Sequence, residues 1–114
     1  MPSLNMKGPH DLNQATIAKE VASGKIGNYA LGRMGSGSKS NTFMVNYVGR
    51  SDSDLAKRLN DHVDKHPKFM YSYATSTDSA FKEECRNYHD FKPPSNEAHP
   101  AVPAGSDTPC PYCS

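Results

Sequence analysis

The chain has 114 residues, room for one small hydrophobic core and not for two. A formal net charge of +1 gives no bulk pull on a polyanion, and 35% hydrophobic residues with nine prolines and eight glycines leave much of the chain to turns. The first seven residues lack the apolar stretch of a signal peptide and no run approaches membrane-spanning length, so a cytoplasmic protein is expected.

In chain order, residues 1–10 carry Pro2, Gly8 and Pro9 and read as an arm. Over residues 11–22, Leu12, Ala15, Ile17, Ala18 and Val21 recur at helical spacing until Ser23-Gly24, which predicts a short leading helix. Residues 26–31 and 42–48 are rich in strand formers and predict a hairpin. The Gly- and Ser-rich connection at 32–41 is either a spacer or a flap over a substrate. From Ser51 the period changes: Leu55, Leu59 and Val63 recur every four residues behind Asp52 and Ser53 as capping residues, and Pro67 ends the helix. Residues 69–74 alternate aromatic and small side chains as a third strand. A helix then runs from Thr77 or Asp78 to about His89 with Phe81, Cys85 and Tyr88 as its apolar stripe, and Pro93-Pro94 forbids continuation. Residues 97–114 hold four prolines and read as a tail. The expected fold is α+β: a small three-stranded antiparallel sheet flanked by helices over residues 25–96, preceded by the arm and leading helix at 1–24.

Four sequence features stand apart from this scaffold. Gly27-Asn28-Tyr29 and Tyr47-Val48-Gly49 are glycine-flanked tyrosines on neighbouring predicted strands. Arg58 and His62 lie four residues apart, on one helical face. Glu84 follows Ala80 by four residues on the last helix, and Asn96 follows the Lys92-Pro93 turn. Basic residues outnumber acidic ones by seven to four over residues 33–68, which allows a local patch.

In that order these features resemble the GIY-YIG nuclease superfamily over residues 27–96, with Asn28 standing where the family has an apolar residue and the 32–41 loop absorbing a wider separation of the tyrosines. The resemblance implies a metal-dependent endonuclease that hydrolyses phosphodiester bonds in DNA, one strand per active site, with RNA left open as a second substrate. It implies that Tyr29 and Tyr47 face the site, that Arg58 contacts the scissile phosphate, that Glu84 binds Mg²⁺ or Mn²⁺, and that Asn96 is a structural or phosphate-orienting amide. Arg50 is a second candidate for the phosphate, and Lys57 and Lys39 are further candidates for the nucleic acid. Tyr29 and His62 compete as the base that activates water: a phenol near pKa 10 needs nearby cations to help it, whereas histidine titrates near neutrality unaided. A monomer or weak homodimer is expected, with a partner or the loop supplying target choice. The runner-up is a catalytically weak nucleic-acid or protein binding module on the same scaffold, which the near-neutral charge favours.

Cys110-Pro111-Tyr112-Cys113 has the spacing of half a structural zinc site. Cys85 and His89, four apart on one helix, could supply the other half, with His99 as a substitute. Alternatively Cys85 is a core residue.

Overall fold

The computed structural model describes residues 6–35, 37–39, 42–93 and 96. Along these run β1 (Lys7–Asp11), α1 (Gln14–Glu20), β2 (Gly27–Met34), a 3-10 turn (Gly37–Lys39), β3 (Phe43–Ser51), α2 (Leu55–Asn60), β4 (Lys68–Tyr73) and α3 (Thr77–Phe91). The strands form one sheet in the order β1-β4-β2-β3, every neighbouring pair antiparallel. The α+β class holds, and the expected three-stranded sheet is corrected to four strands among the described residues. The extra strand is β1, part of the expected arm. Its sequence, Lys-Gly-Pro-His-Asp, has no apolar face to betray a strand, and Pro9, lacking an N–H, is tolerated because β1 is an edge.

Alternation along β2 divides the core. Tyr29 and Leu31 join Leu12, Ile17, Val21, Leu55, Leu59, Phe69 and Tyr71 beneath α1 and α2, whereas Ala30 joins Val48, Met70, Tyr88 and Phe91 on the other face, beneath α3. The β2–β3 register slips between Leu31 and Gly32, leaving Asn46 without an opposite residue. That single extra residue turns Val45 and Phe43 onto the α3 face with Val48.

Each helix begins at an identifiable cap and two end early. The Asn13 side chain accepts from the Thr16 amide at 2.8 Å, so α1 starts two residues beyond Asp11–Leu12 and leaves Leu12 packed ahead of the cap. Asp54 caps α2, which stops at Asn60, short of the helix expected to run toward Pro67. There the Asp61 amide is shared among the carbonyls of Lys57, Arg58 and Leu59, and Asp64 adopts a left-handed φ of 74°. Ser76 and Ser79 form a reciprocal capping box at the start of α3, and left-handed Lys92 closes it. Among the described residues no helix is long and apolar enough to cross a membrane. The expected tail at 97–114 lies outside the described residues.

Candidate active site

The two glycines that flank the tyrosines are there because something else needs their space. Gly49 sits opposite Tyr29 across the β2–β3 ladder, and a Cβ on it would lie 2.5 Å from the phenol carbon and oxygen of Tyr29. A Cβ on Gly27 would lie 2.4 Å from the Ser72 carbonyl and 2.8 Å from the Leu55 side chain, so the approach of α2 to the sheet depends on its absence. With both side chains missing, the buried Tyr29 ring lies flat across β3 and stacks on Tyr47, centroids 6.1 Å apart.

His62 completes an aromatic trio. Its ring centroid is 5.4 Å from that of Tyr29 and 5.3 Å from that of Tyr47, and Nε2 lies 3.0 Å from the Tyr29 hydroxyl. His62 occupies the turn after α2 and not the helix itself, so Arg58 and His62 do not share a helical face as the spacing implied; the turn delivers the imidazole instead. Burial drives the Tyr29 hydroxyl pKa far above its ordinary value of 10.0, with Tyr47 adding to the rise and Arg58 opposing it. Arg58 alone does not bring the phenol toward neutrality. His62 is shifted the other way, below 6.5, by burial and by the charges of Lys65, Arg58 and His66 against Asp61. Near neutral pH a neutral imidazole faces a protonated phenol, and in the tautomer with bare Nε2 the phenol donates.

The rings of Tyr29 and Tyr47 form one wall of a cleft of about 530 Å³, and His62 touches both without lining it. The cleft is also lined by Gly49, Arg50, Asp52, Asp54, Lys57, Arg58, Asp61 and Glu84. Tyr29 and Tyr47 come from one face of the sheet and Arg50 and Glu84 from the other, so the cleft runs across the edge of the sheet that β3 forms among the described residues. Its floor is the turn from β3 into α2, held by the Ser51 hydroxyl accepting from the Asp54 amide at 2.9 Å. Arg58 and Lys57 project from α2, both exposed, as cations without a carboxylate partner within salt-bridge distance among the described residues.

Arg50 is placed differently. Its Nη1 donates to Glu84 Oε1 at 2.6 Å, its Nε donates to Asp52 Oδ1 at 2.9 Å, and its guanidinium lies 5.3 Å from the Phe81 ring centroid. A phosphate would compete with two carboxylates for it, which leaves Arg58 and Lys57 as the cations open to a ligand. Burial raises the Glu84 pKa above the usual carboxylate value and Arg50 pulls it back down. Asp52, read from sequence as a capping residue, is the member of this network that the sequence did not mark; Asp54 does the capping. Its signal was an Arg-x-Asp step at a strand end.

A hydrated Mg²⁺ or Mn²⁺ takes one or two carboxylates and keeps its waters, and Glu84 with Asp52 in a water-accessible cleft fits that donor set. Among the described residues no group of three or more His, Cys, Asp or Glu side chains is assembled to hold a metal ion. Cys85 is fully buried in the α3 face and His89 packs edge-on against Tyr88. Cys110, Cys113 and His99 lie outside the described residues, as does the side chain of Lys39.

Asn96 does not line the cleft. Its Oδ1 accepts from the Val48 amide at 2.8 Å and its Nδ2 donates to the Val48 carbonyl at 3.0 Å, so the side chain pairs with the outer edge of β3 like one residue of a missing strand. Of the two roles expected for it, this geometry is the structural one. The middle residue of the first tripeptide, Asn28, is buried with its Nδ2 donating to the Ala80 carbonyl at 2.8 Å, which ties the start of α3 to β2. No family model, curated protein or solved structure matches this chain.

Proposed function

We propose that this protein is a metal-dependent endonuclease that hydrolyses phosphodiester bonds in DNA, on a GIY-YIG-like scaffold and in the cytoplasm. The observation that carries the reading is convergence: Tyr29, Tyr47, Lys57, Arg58 and Glu84, from two strands and two helices, line a single cleft. Arg58 and Lys57 offer positive charge to a phosphate and to the five-coordinate phosphorus that forms from it. A divalent cation held by Glu84 would add charge neutralisation at the leaving oxygen.

Proton movement follows from the two opposed pKa shifts. A phenol that burial keeps protonated is a poor base alone, but it can take a proton from the attacking water as it gives its own to His62 Nε2, 3.0 Å away. Tyr29 is then the group nearest water and His62 the final acceptor, so the two candidates act in series. Tyr47 stacks on Tyr29 and touches His62, fixing both rings.

The test is plasmid nicking in Mg²⁺ or Mn²⁺ by the wild type, Glu84→Ala and Arg58→Ala. Each substitution is expected to cost at least about two orders of magnitude, the scale of losing a key electrostatic group. Wild-type nicking that survives both changes rejects the assignment. The carboxylates in the cleft, Asp52, Asp54, Asp61 and Glu84, outnumber its cations Arg50, Lys57 and Arg58, which supports the runner-up, a weak binding module. That reading predicts no nicking by the wild type.

A further inference from the structure

We infer that Arg50 is a positioning residue that occupies Glu84 in place of a metal ion and thereby weakens cation binding by the protein alone, an inference that rests on the proposed metal role of Glu84. Arg50 is fixed from three sides: Glu84 Oε1 on Nη1, Asp52 Oδ1 on Nε, and the Phe81 ring against the guanidinium. The side chains of Arg50 and Glu84 are only 11% and 10% exposed, so water screens this pair less than a surface ion pair. One guanidinium offsets one of the two negative charges, and a net charge of −1 remains beside the cleft.

A divalent cation approaching Glu84 meets a like charge already seated on the carboxylate. It must share Glu84 with the guanidinium or dislodge it, and either route costs affinity. Arg58 and Lys57, exposed across the cleft, are matched in number by Asp54 and Asp61, so the competition is local to the Arg50–Glu84 pair. A phosphodiester brings a negative charge that gives Arg50 an alternative partner to Glu84. Cation and nucleic acid therefore load together, and the protein alone holds Mn²⁺ weakly.

The inference reverses the sign a merely structural role would give. Removing a structural ion-pair partner loosens Glu84 and weakens the site, whereas removing a competitor strengthens it. Mn²⁺ titration of the full chain followed by electron paramagnetic resonance is expected to show Arg50→Gln binding about tenfold tighter than the wild type. Arg50→Gln/Glu84→Gln is expected to lose that gain. Equal or weaker Mn²⁺ binding by a folded Arg50→Gln variant overturns the inference. If that variant does not fold, the wild type decides: the ¹⁵N signal of the Arg50 Nε, located by its neighbours, is expected to shift on Mg²⁺ addition, and an unmoved signal at saturating Mg²⁺ overturns the inference. Nicking is not the readout, so the two proposals fail separately. Nicking that needs Glu84 alongside unchanged Mn²⁺ binding in Arg50→Gln rejects only the role of Arg50, and tighter Mn²⁺ binding without any nicking rejects only the nuclease reading.

Discussion

The two faces of the sheet are built from different chemistry. Beneath α1 and α2 the buried groups are apolar or aromatic, and the phenol of Tyr29, which lines the cleft, is backed by the imidazole of His62. Beneath α3 lie Asn28, Glu84 and Asn87, buried polar residues, with Arg50 reaching down from β3. The difference teaches that a free strand edge can bring together groups that one environment would not tolerate. A neutral proton-transfer pair needs the dry face, an ion pair needs hydrogen bonds and some water, and the rim of β3 gives the cleft both.

The largest expected effect breaks the dry side. If proton transfer ends on His62, His62→Gln lowers nicking by about a hundredfold, the usual scale for a general base. The pH profile sharpens this. His62 is held below its ordinary 6.5, so wild-type activity rises with pH through a value below 6.5 and is flat above it, and His62→Gln lacks that limb. The same depression means that its contribution to folding is complete above 6.5 and is lost as pH falls through the folded value. An unchanged acid limb in His62→Gln assigns the titration elsewhere.

A smaller effect is expected where the faces meet. Gly49→Ala places a methyl group 2.5 Å from the Tyr29 phenol, so the ring or the β2–β3 pairing must shift. Thermal or urea unfolding is expected to show a loss of about 2 kcal/mol, the cost of overpacking a core. A variant as stable as the wild type means that Tyr29 has another place to go. The smallest effect belongs to Asn96→Ala, which removes two hydrogen bonds to Val48 at a partly buried site and is expected to lower stability by about 1 kcal/mol without changing the Mn²⁺ dependence of nicking.

Much of the scaffold was legible because burial imposes a period. β2 announces itself by strand-forming residues, β4 by alternation and α3 by apolar residues at helical spacing, and the tyrosines could be assigned to neighbouring strands before their contacts were known. β1 could not be read in this way, since a polar edge strand carries no buried face and its pairing with β4 is decided by β4. The end of α2 was hidden for a related reason: Val63 keeps the four-residue spacing from a turn, not from a helix, and packs against the same core. Residue types at the candidate site were legible, but their partners were not. Nothing in a chain shows that Arg50 will turn toward two carboxylates while Arg58 stays exposed, because that choice depends on α3 crossing the same face of β3.

The carboxamide of Asn96 has a consequence for how this protein meets copies of itself. An open sheet border invites another chain to zip on, and among the described residues β3 is such a border. At Val48 both backbone groups are already taken, so an incoming strand finds that rung filled and cannot run in register past it.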